Sequence, residues 1–398
     1  MHNAIRSSRR SPGDGWPRSY ACRSGLRTAP GGSAAWQANE AVAPSALTDW
    51  LALIRIEGTG PVSQARLLER FGTPSQVFAA SRRQLEDPSL GLRGAQIDSI
   101  LRGPDHDWAL SQLSIAEDLG AAIVGFDDPG YPSILRNIHA PPLVLYVQGC
   151  VPLAAARAVG VVGTRNPTTP GGEACAFLSG AWVRDGIRIV SGLARGIDGI
   201  AHRTALEAGG ETVAVLGCGL DQLDSPSRRG LARDIVGRGA LVSEFPFGDP
   251  VSKGNFPRRN RIIAGLSPAV VVAEAGEKSG ALITARFALE QGRDVLACPG
   301  PAGWESFAGC HRLLRQGAAL CARPEDLHEA LGWPPPAQRG GEGGGDALLN
   351  LLTGHGATLE EIAIATGCSI PEIQHRIVLL EVSGAVVRGV AGRWRRLG

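Results

Sequence analysis

The chain has 398 residues, 43% of them hydrophobic, and a formal net charge of only +2. That composition can fill at least one sizeable core, but the whole-molecule field is too weak to hold an anionic polymer, so any such affinity needs a local patch. The scattered cysteines (Cys22, Cys150, Cys175, Cys218, Cys298, Cys310, Cys321 and Cys368) form no C-x-x-C pair and have no His at zinc spacing. This disfavours a metal site and a disulfide framework and points to a reducing cytoplasm; neither a long apolar run nor the apolar core of a signal peptide is present.

Residues 1–45 are rich in Arg, Ser, Pro and Gly without periodicity and are expected as a disordered tail. Their composition also suits a transit peptide, or a start placed too far upstream. Over 46–115 the pattern predicts short helices broken by glycine. In EGTGPVSQARLLERFG, Gly58 and Gly60 turn the chain, Pro61 opens a helix, and Ala65, Leu68 and Phe71 share a face. LGLRGAQIDSIL repeats the theme with Gly91 and Gly94. Both look like helix-hairpin-helix units, whose backbone amides can hold a phosphate; a plain helical packing domain fits as well.

From 116 to 330, β-branched runs at 158–163, 187–192, 212–217, 240–244, 269–274, 294–300 and 318–321 alternate with amphipathic stretches such as GGEACAFLSGAWVRDG. Continuous apolar strands separated by helices predict a doubly wound, mostly parallel α/β sheet covered on both faces. A Pro/Gly linker is expected at 331–345 and a separate module at 346–398. In that module LEEIAIATG ends in Gly367, Ser369 and Glu372 form a capping box before a second helix, and AVVRGVAGRWRRLG follows as a hairpin. This predicts a helix-turn-helix with a wing.

In an open parallel sheet, ligands sit outside the carboxyl ends of the strands, where helix N-termini offer N–H groups. Here those ends are Gly163-Thr164-Arg165, the Ser191–Gly196 loop with Gly192 and Arg195, Gly217-Cys218-Gly219, and Glu274 to Gly280 with Lys278 and Ser279. Glycine lets backbone approach closely, hydroxyls donate and cations neutralise, which suits a phosphate. Glycines that merely close turns account for one such loop better than for four. GVVGTRNPTTPGG lacks the G-x-G-x-x-G spacing, and no G-x-x-x-x-G-K-[ST] occurs.

The segment KGNFPRRNRIIAGLS carries Lys253, Arg258, Arg259 and Arg261, with no acid between Asp249 and Glu274; Lys253 and Lys278 are the chain's only lysines. That is too much charge for one phosphate, whereas a single strand offers a row of phosphates beside exposed bases. Phe256 could stack on one of those bases, unless it packs into the core ahead of Ile262 and Ile263. Asp198 and His202, at i and i+4, could do general-base work, though an Asp in a first helical turn is more often a cap. Glu244 and Glu274 each end a strand and could receive an arginine of the cationic segment. No nucleophile, metal-ligand set or isolated carboxylate pair stands out, so no catalytic residue, metal or cofactor is assigned.

VGVVGTRNPT, IVSGLARGIDGIAHRTALEAGGETVAVLGCGLD, LVSEFPFG, NFPRRNRIIAGLS and VVVAEAGEKSGALITARFALEQGRDVLACPG, in that order over about 120–325, resemble the DNA-processing protein A family, also called DprA or Smf. GTGPVSQARLLERFG is similar to that family's sterile-alpha-motif-like (SAM-like) extension, and 346–398 to its winged-helix tail. The resemblance implies an extended Rossmann fold that binds single-stranded DNA in the cytoplasm, forms a homodimer and loads RecA recombinase in natural transformation and recombination, with no enzymatic activity. It implies phosphate binding by Gly163, Thr164, Arg165, Ser191, Gly192 and Arg195. It gives Phe256 a stacking or wedge role among Lys253, Asn255, Arg258, Arg259, Asn260 and Arg261, with Lys278, Ser279, Gly280 and Thr284 bordering the groove.

The chain departs from the family's pattern at Asp224-Ser225-Pro226 with Arg228-Arg229, and again at Trp304 and His311 after Pro299. The alternative reading is a nucleotide-cleaving Rossmann enzyme of the lysine-decarboxylase-like or phosphoribohydrolase group. EAGEKSGALITA, however, has Lys and Ser where that group's P-G-G-x-G-T-x-x-E loop places an acid. In the C-terminal module the second helix, with Glu372, Gln374, His375, Arg376 and Glu381, is of mixed charge, and only the wing, with Arg388, Arg393, Arg395 and Arg396, is clearly basic.

Overall fold

The computed structural model describes residues 44–334 except 156 and 224, and, further on, residues 348, 351–352, 356–382, 385–389 and 392–396. The tail expected at 1–45 and the linker expected at 331–345 lie mostly outside these. The chain divides into two compact units, residues 1–334 and 335–398.

The first unit opens with helices α1 (Pro44–Arg55), α2 (Pro61–Phe71), α3 (Pro74–Phe78), α4 (Arg82–Leu85), α5 (Gly94–Leu101) and α6 (His106–Asp118). Proline in the first turn starts α2 and α3, and Thr73 with Gln76 closes a capping box on α3. The two glycine-containing turns meet: Gln96 Nε2 donates to Gly58 O at 2.5 Å. These helices are not a separate body. Trp50, Leu51 and Leu67 share one core with Tyr146, Leu216 and Leu241 of the sheet region.

That sheet has nine strands: β1 (Ala122–Gly125), β2 (Val144–Gly149), β3 (Ala158–Val162), β4 (Arg188–Ser191), β5 (Thr212–Val215), β6 (Ala240–Ser243), β7 (Ala269–Val272), β8 (Asp294–Ala297) and β9 (Ala319–Leu320). Their order is β1-β2-β6-β5-β4-β3-β7-β8-β9. The runs read from the sequence form β3 to β9, all pairing in parallel. The sequence reading did not name β1 and β2, which pair antiparallel with each other and, through β2, with β6. The Pro-containing segment joining them holds only the four-residue helix α7 (Ser133–Arg136), so no strand-helix-strand alternation betrays them.

The remaining helices are α8 (Thr169–Arg184), α9 (Ile197–Glu207), α10 (Pro226–Val236), α11 (Asn255–Gly265), α12 (Ala281–Glu290), α13 (Ala308–Arg315) and α14 (Glu325–Ala330). Alternate strand residues serve opposite faces. Val162, Val190 and Val272 pack with Ile262, Ile263 and Ala285, while Val161, Ile189 and Val271 pack with Leu178, Trp182 and Ala201. The chain winds from β3 through β4 and β5 to β6, then returns by α11 to β7 on the other side of β3. Winding therefore reverses between β3 and β7, which opens a crevice at their carboxyl ends.

The second unit contains helices Leu359–Thr366 and Ile370–Val382 and an antiparallel pair, Val386–Arg388 with Trp394–Arg396. Gly367, at φ 69°, ends the first helix, and Glu372 accepts from Ser369 N and Oγ at 3.0 and 2.9 Å before the second. Ile362, Ile373, Ile377, Val386 and Trp394 form its core.

Candidate nucleic-acid interface

The loops at the crevice are laced together by backbone. Thr164 N donates to Glu274 O at 2.7 Å, joining the ends of β3 and β7, and Ile197 N donates to Thr164 O at 3.1 Å, joining the Gly163–Arg165 and Ser191–Gly196 loops. Gly196 permits this: its φ is +88°, and a Cβ there would lie 2.3 Å from Thr164 O. Leu193, in the same loop, is held at φ 54° with its side chain buried. A non-glycine residue in this region is strained, a condition that accumulates at functional sites.

Between these loops lies a cavity of about 570 Å³, within the usual range for a ligand site. Its walls are Gly163 to Arg165 from the end of β3, Lys253 just ahead of α11, Phe256, Arg259 and Asn260 from α11, Lys278 to Gly280 from the loop after β7, and Thr284 from α12. Sequence reasoning missed Ala194, Pro257, Ile263, Gly276 and Ile283, which also line it. For Ile283 the signal was available, since it lies in the first turn of α12 beside Thr284.

Arg165, Lys253 and Lys278 are exposed, and Phe256 is half-buried. The Phe256 ring lies against bare backbone: a Cβ at Gly217 would be 3.3 Å from its Cδ1. Arg165 covers it, with the guanidinium carbon 5.1 Å from the ring centroid.

The cationic segment is divided by helix geometry. Because α11 begins at Asn255, its arginines point in different directions rather than forming one basic row. Arg259 is buried beneath the cavity, donates from Nη1 to Val215 O at 2.9 Å, and fills the space a Cβ at Gly192 would need. Burial, with the nearby charges of Arg228 and Arg165 acting in the same direction and Asp198 against them, pulls its pKa down to about 10, so it stays charged at neutral pH. Arg261 is buried elsewhere and donates to Glu244 at 2.5 Å; burial lowers its pKa while Glu244 raises it. Arg258 also reaches Glu244, at 3.3 Å, and lies 4.8 Å from the Phe245 ring. The expectation that Arg258 and Arg261 share the groove with Phe256 is therefore corrected: both turn to Glu244, and Arg258 lines a separate pocket with Asp249 and Trp108.

Other expected residues are internal. Ser191 is fully buried and donates to Val161 O at 2.6 Å, and Gly192 N donates to Asp198 Oδ2 at 3.2 Å. Both shape the loop from inside. Arg195 is exposed and donates to Asn166 Oδ1, and Asn255 is half-buried at the start of α11; neither Arg195 nor Asn255 belongs to the cavity lining. Among the described residues Glu274 receives no arginine; it accepts from Thr168 N at 2.9 Å and Oγ1 at 3.0 Å, starting α8.

Asp198 lines the cavity floor but is spent on the Gly192 and Ala194 amides. Burial raises its pKa, opposed first by Arg259. His202 turns from it to Thr212 Oγ1 at 2.6 Å. Of the two readings weighed for this pair, a cap fits and a general base does not: Asp198 caps the loop and His202 is a core histidine.

The family model for DNA recombination-mediator protein A matches residues 122–332, the sheet and its crevice. The chain belongs to that family. Among its relatives, Protein Smf from Escherichia coli is 35% identical over 87% of this chain and 96% of its own. The putative DNA processing protein DprA of Mycobacterium tuberculosis is 34% identical over 91% of this chain and 94% of its own. The X-ray structure of DNA processing protein A from Streptococcus pneumoniae superposes with a TM-score of 0.63 at 31% identity, covering 71% of this chain and 97% of that one. Among the described residues, no helix is long and apolar enough to cross a membrane.

Proposed function

We propose that the cleft holds single-stranded DNA, with phosphates along Thr164, Arg165, Lys253 and Lys278 and a base against Phe256. The observation that carries this is Arg165 lying over Phe256 at the mouth of a cavity edged by further cations. Dispersed charges beside one aromatic suit a strand with unpaired bases, whereas duplex readers need a helix or ribbon that enters a groove. Membership of a DNA recombination-mediator family supports DNA as the polymer. Gly163, Asn260, Ser279, Gly280 and Thr284 complete the walls, Arg259 supplies charge from beneath, and Arg195 and Asn255 border the entry.

By the same family resemblance, we read the protein as a cytoplasmic homodimer that loads RecA on the strand it holds, without catalytic activity of its own. We read the N-terminal helices as SAM-like or helix-hairpin-helix-like and the C-terminal unit as a winged helix with an auxiliary role. In that unit Glu372 is spent as a cap and Arg393 pairs with Glu361 at 2.7 Å, which leaves little charge for DNA on those residues.

The decisive experiment is titration of the pure protein with single- and double-stranded oligonucleotides at two salt concentrations. Preference for the single strand, with affinity falling as salt rises, is expected. Equal affinity for duplex, or loss of most single-strand affinity on deleting 346–398, would overturn the assignment to the cleft. Stimulation of RecA-dependent strand exchange and the mass of the particle in solution test the other two claims. Release of free base from a nucleoside monophosphate would restore the enzyme reading.

A further inference from the structure

The loop after β8 carries an aromatic that the cleft described above does not use. Trp304 is 44% exposed, whereas Phe307 is buried, and the loop's construction explains the difference. A Cβ at Gly300 would lie 2.1 Å from Cγ of Phe307, so that ring is folded onto bare backbone. His311 stacks beside it at 6.5 Å, and His311 Nε2 lies 3.1 Å from Gly300 O.

The same loop is fastened to a wall of the cleft. Gly309 N donates to Ala275 O at 2.8 Å, and a Cβ at Gly276 would come within 3.3 Å of Glu305 O. Gly276 itself lines the cavity, two residues before Lys278. Trp304 thus stands on an anchored loop at the carboxyl edge of the sheet, one strand beyond the β3–β7 crevice. An exposed indole has much apolar area to cover and little conformational freedom to lose on meeting a flat partner. The nearby exposed acids, Glu305 next to it and Glu277 beside Gly276, repel a phosphate but not the face of a base.

We propose that Trp304 is a second base-stacking position, so that a single strand runs from Phe256 across the cavity, past Lys278, to Trp304. The proposal rests on the reading of the cleft as a single-stranded DNA site.

The test measures binding of a long oligo-dT, and of an abasic strand of equal length, to wild type, Trp304→Ala and Trp304→Phe at two salt concentrations. Trp304→Ala raises Kd for oligo-dT about five-fold or more with an unchanged salt slope, and Trp304→Phe recovers most of the loss. On the abasic strand all three bind alike. The fluorescence difference between wild type and Trp304→Phe is quenched by oligo-dT, a readout that does not require the alanine variant to fold. Wild-type affinity in Trp304→Ala, an equal loss on the abasic strand, or no quenching would overturn the proposal. If wild type binds no oligo-dT, the reading of the cleft falls as well; if wild type binds and only the Trp304 effects are missing, that reading stands alone.

Discussion

The guanidinium of Arg165 lies 5.1 Å from the centroid of the Phe256 ring, and the ring lies against Gly217. A base can reach the Phe256 face only where Arg165 gives way, and the natural destination for a displaced guanidinium is the phosphate of the arriving nucleotide. The two residues should therefore act as a unit. Phe256→Ala weakens oligo-dT binding about 5- to 150-fold, the range for one stacked base, with the salt slope retained. Arg165→Ala lowers the slope by about one. In the double variant the losses fail to add, with a coupling of at least about 0.5 kcal/mol. Strict additivity would mean that base and phosphate are held independently.

A second relationship concerns stability rather than binding. Glu244, with its side chain 4% exposed, accepts from buried Arg261 and from Arg258, whose side chain is 45% exposed. Removing Arg261 leaves a buried carboxylate short of its main partner and should cost about 3–5 kcal/mol of unfolding free energy. Arg258→Ala removes a solvent-screened pair and should cost about 1 kcal/mol or less. Denaturant titration of the two variants checks the contrast. Neither change should alter the DNA affinity of the folded protein, since both side chains turn away from the cleft.

These contrasts show where the sequence was legible. The strands from β3 to β9 were readable because parallel strands buried on both faces are continuously apolar, and a glycine, hydroxyl or cation at a strand end marks the ligand edge. Glu244 was expected as a possible partner for an arginine of the cationic segment, but which of Arg258, Arg259 and Arg261 turns inward was not readable. It depends on where α11 begins and on which carboxylate each side chain meets, and Glu244 lies 17 residues from Arg261 in sequence. Ser191 and Gly192 carry the residue types of a phosphate loop, yet their polar groups are used inside the fold, a burial that no local pattern reveals.

His202 predicts the pH response. Thr212 Oγ1 donates its proton to Ile189 O at 3.0 Å, so the imidazole Nδ1 must be the donor to Thr212, and Nε2 is buried without a partner among the described residues. Burial first, then the charges of Arg259 and Arg203, push its pKa from 6.5 to about 3. The unfolded chain takes up a proton near pH 6.5 and the folded chain does not, so this contribution to stability is complete above that value. It declines by about 1.4 kcal/mol per pH unit as pH falls toward 3. Asp198, whose pKa is raised by burial, acts in the opposite sense. Denaturation of wild type and His202→Gln between about pH 5 and 6.5, above most carboxylate titrations, isolates the histidine. The wild-type slope should exceed that of the variant, and equal slopes would show that His202 takes up its proton as readily in the folded chain as in the unfolded one.

Gly192 offers the sharpest test of how the floor of the cleft is built. A Cβ there would lie 1.4 Å from Arg259 Nη1, while that nitrogen is held by Val215 O at 2.9 Å and the guanidinium is enclosed. Gly192→Ala must therefore displace Arg259, an overpacking change expected to cost about 1–3 kcal/mol. It should also weaken oligo-dT binding, because the displaced side chain intrudes on the cavity that Arg259 lines from beneath. In an Arg259→Ala background the methyl group has room, so the further cost of Gly192→Ala in stability should fall well below its cost in wild type. Denaturant titration of the four proteins in this cycle decides the matter: an equal cost in both backgrounds would mean that the glycine is required by its own backbone and not by the arginine beneath it.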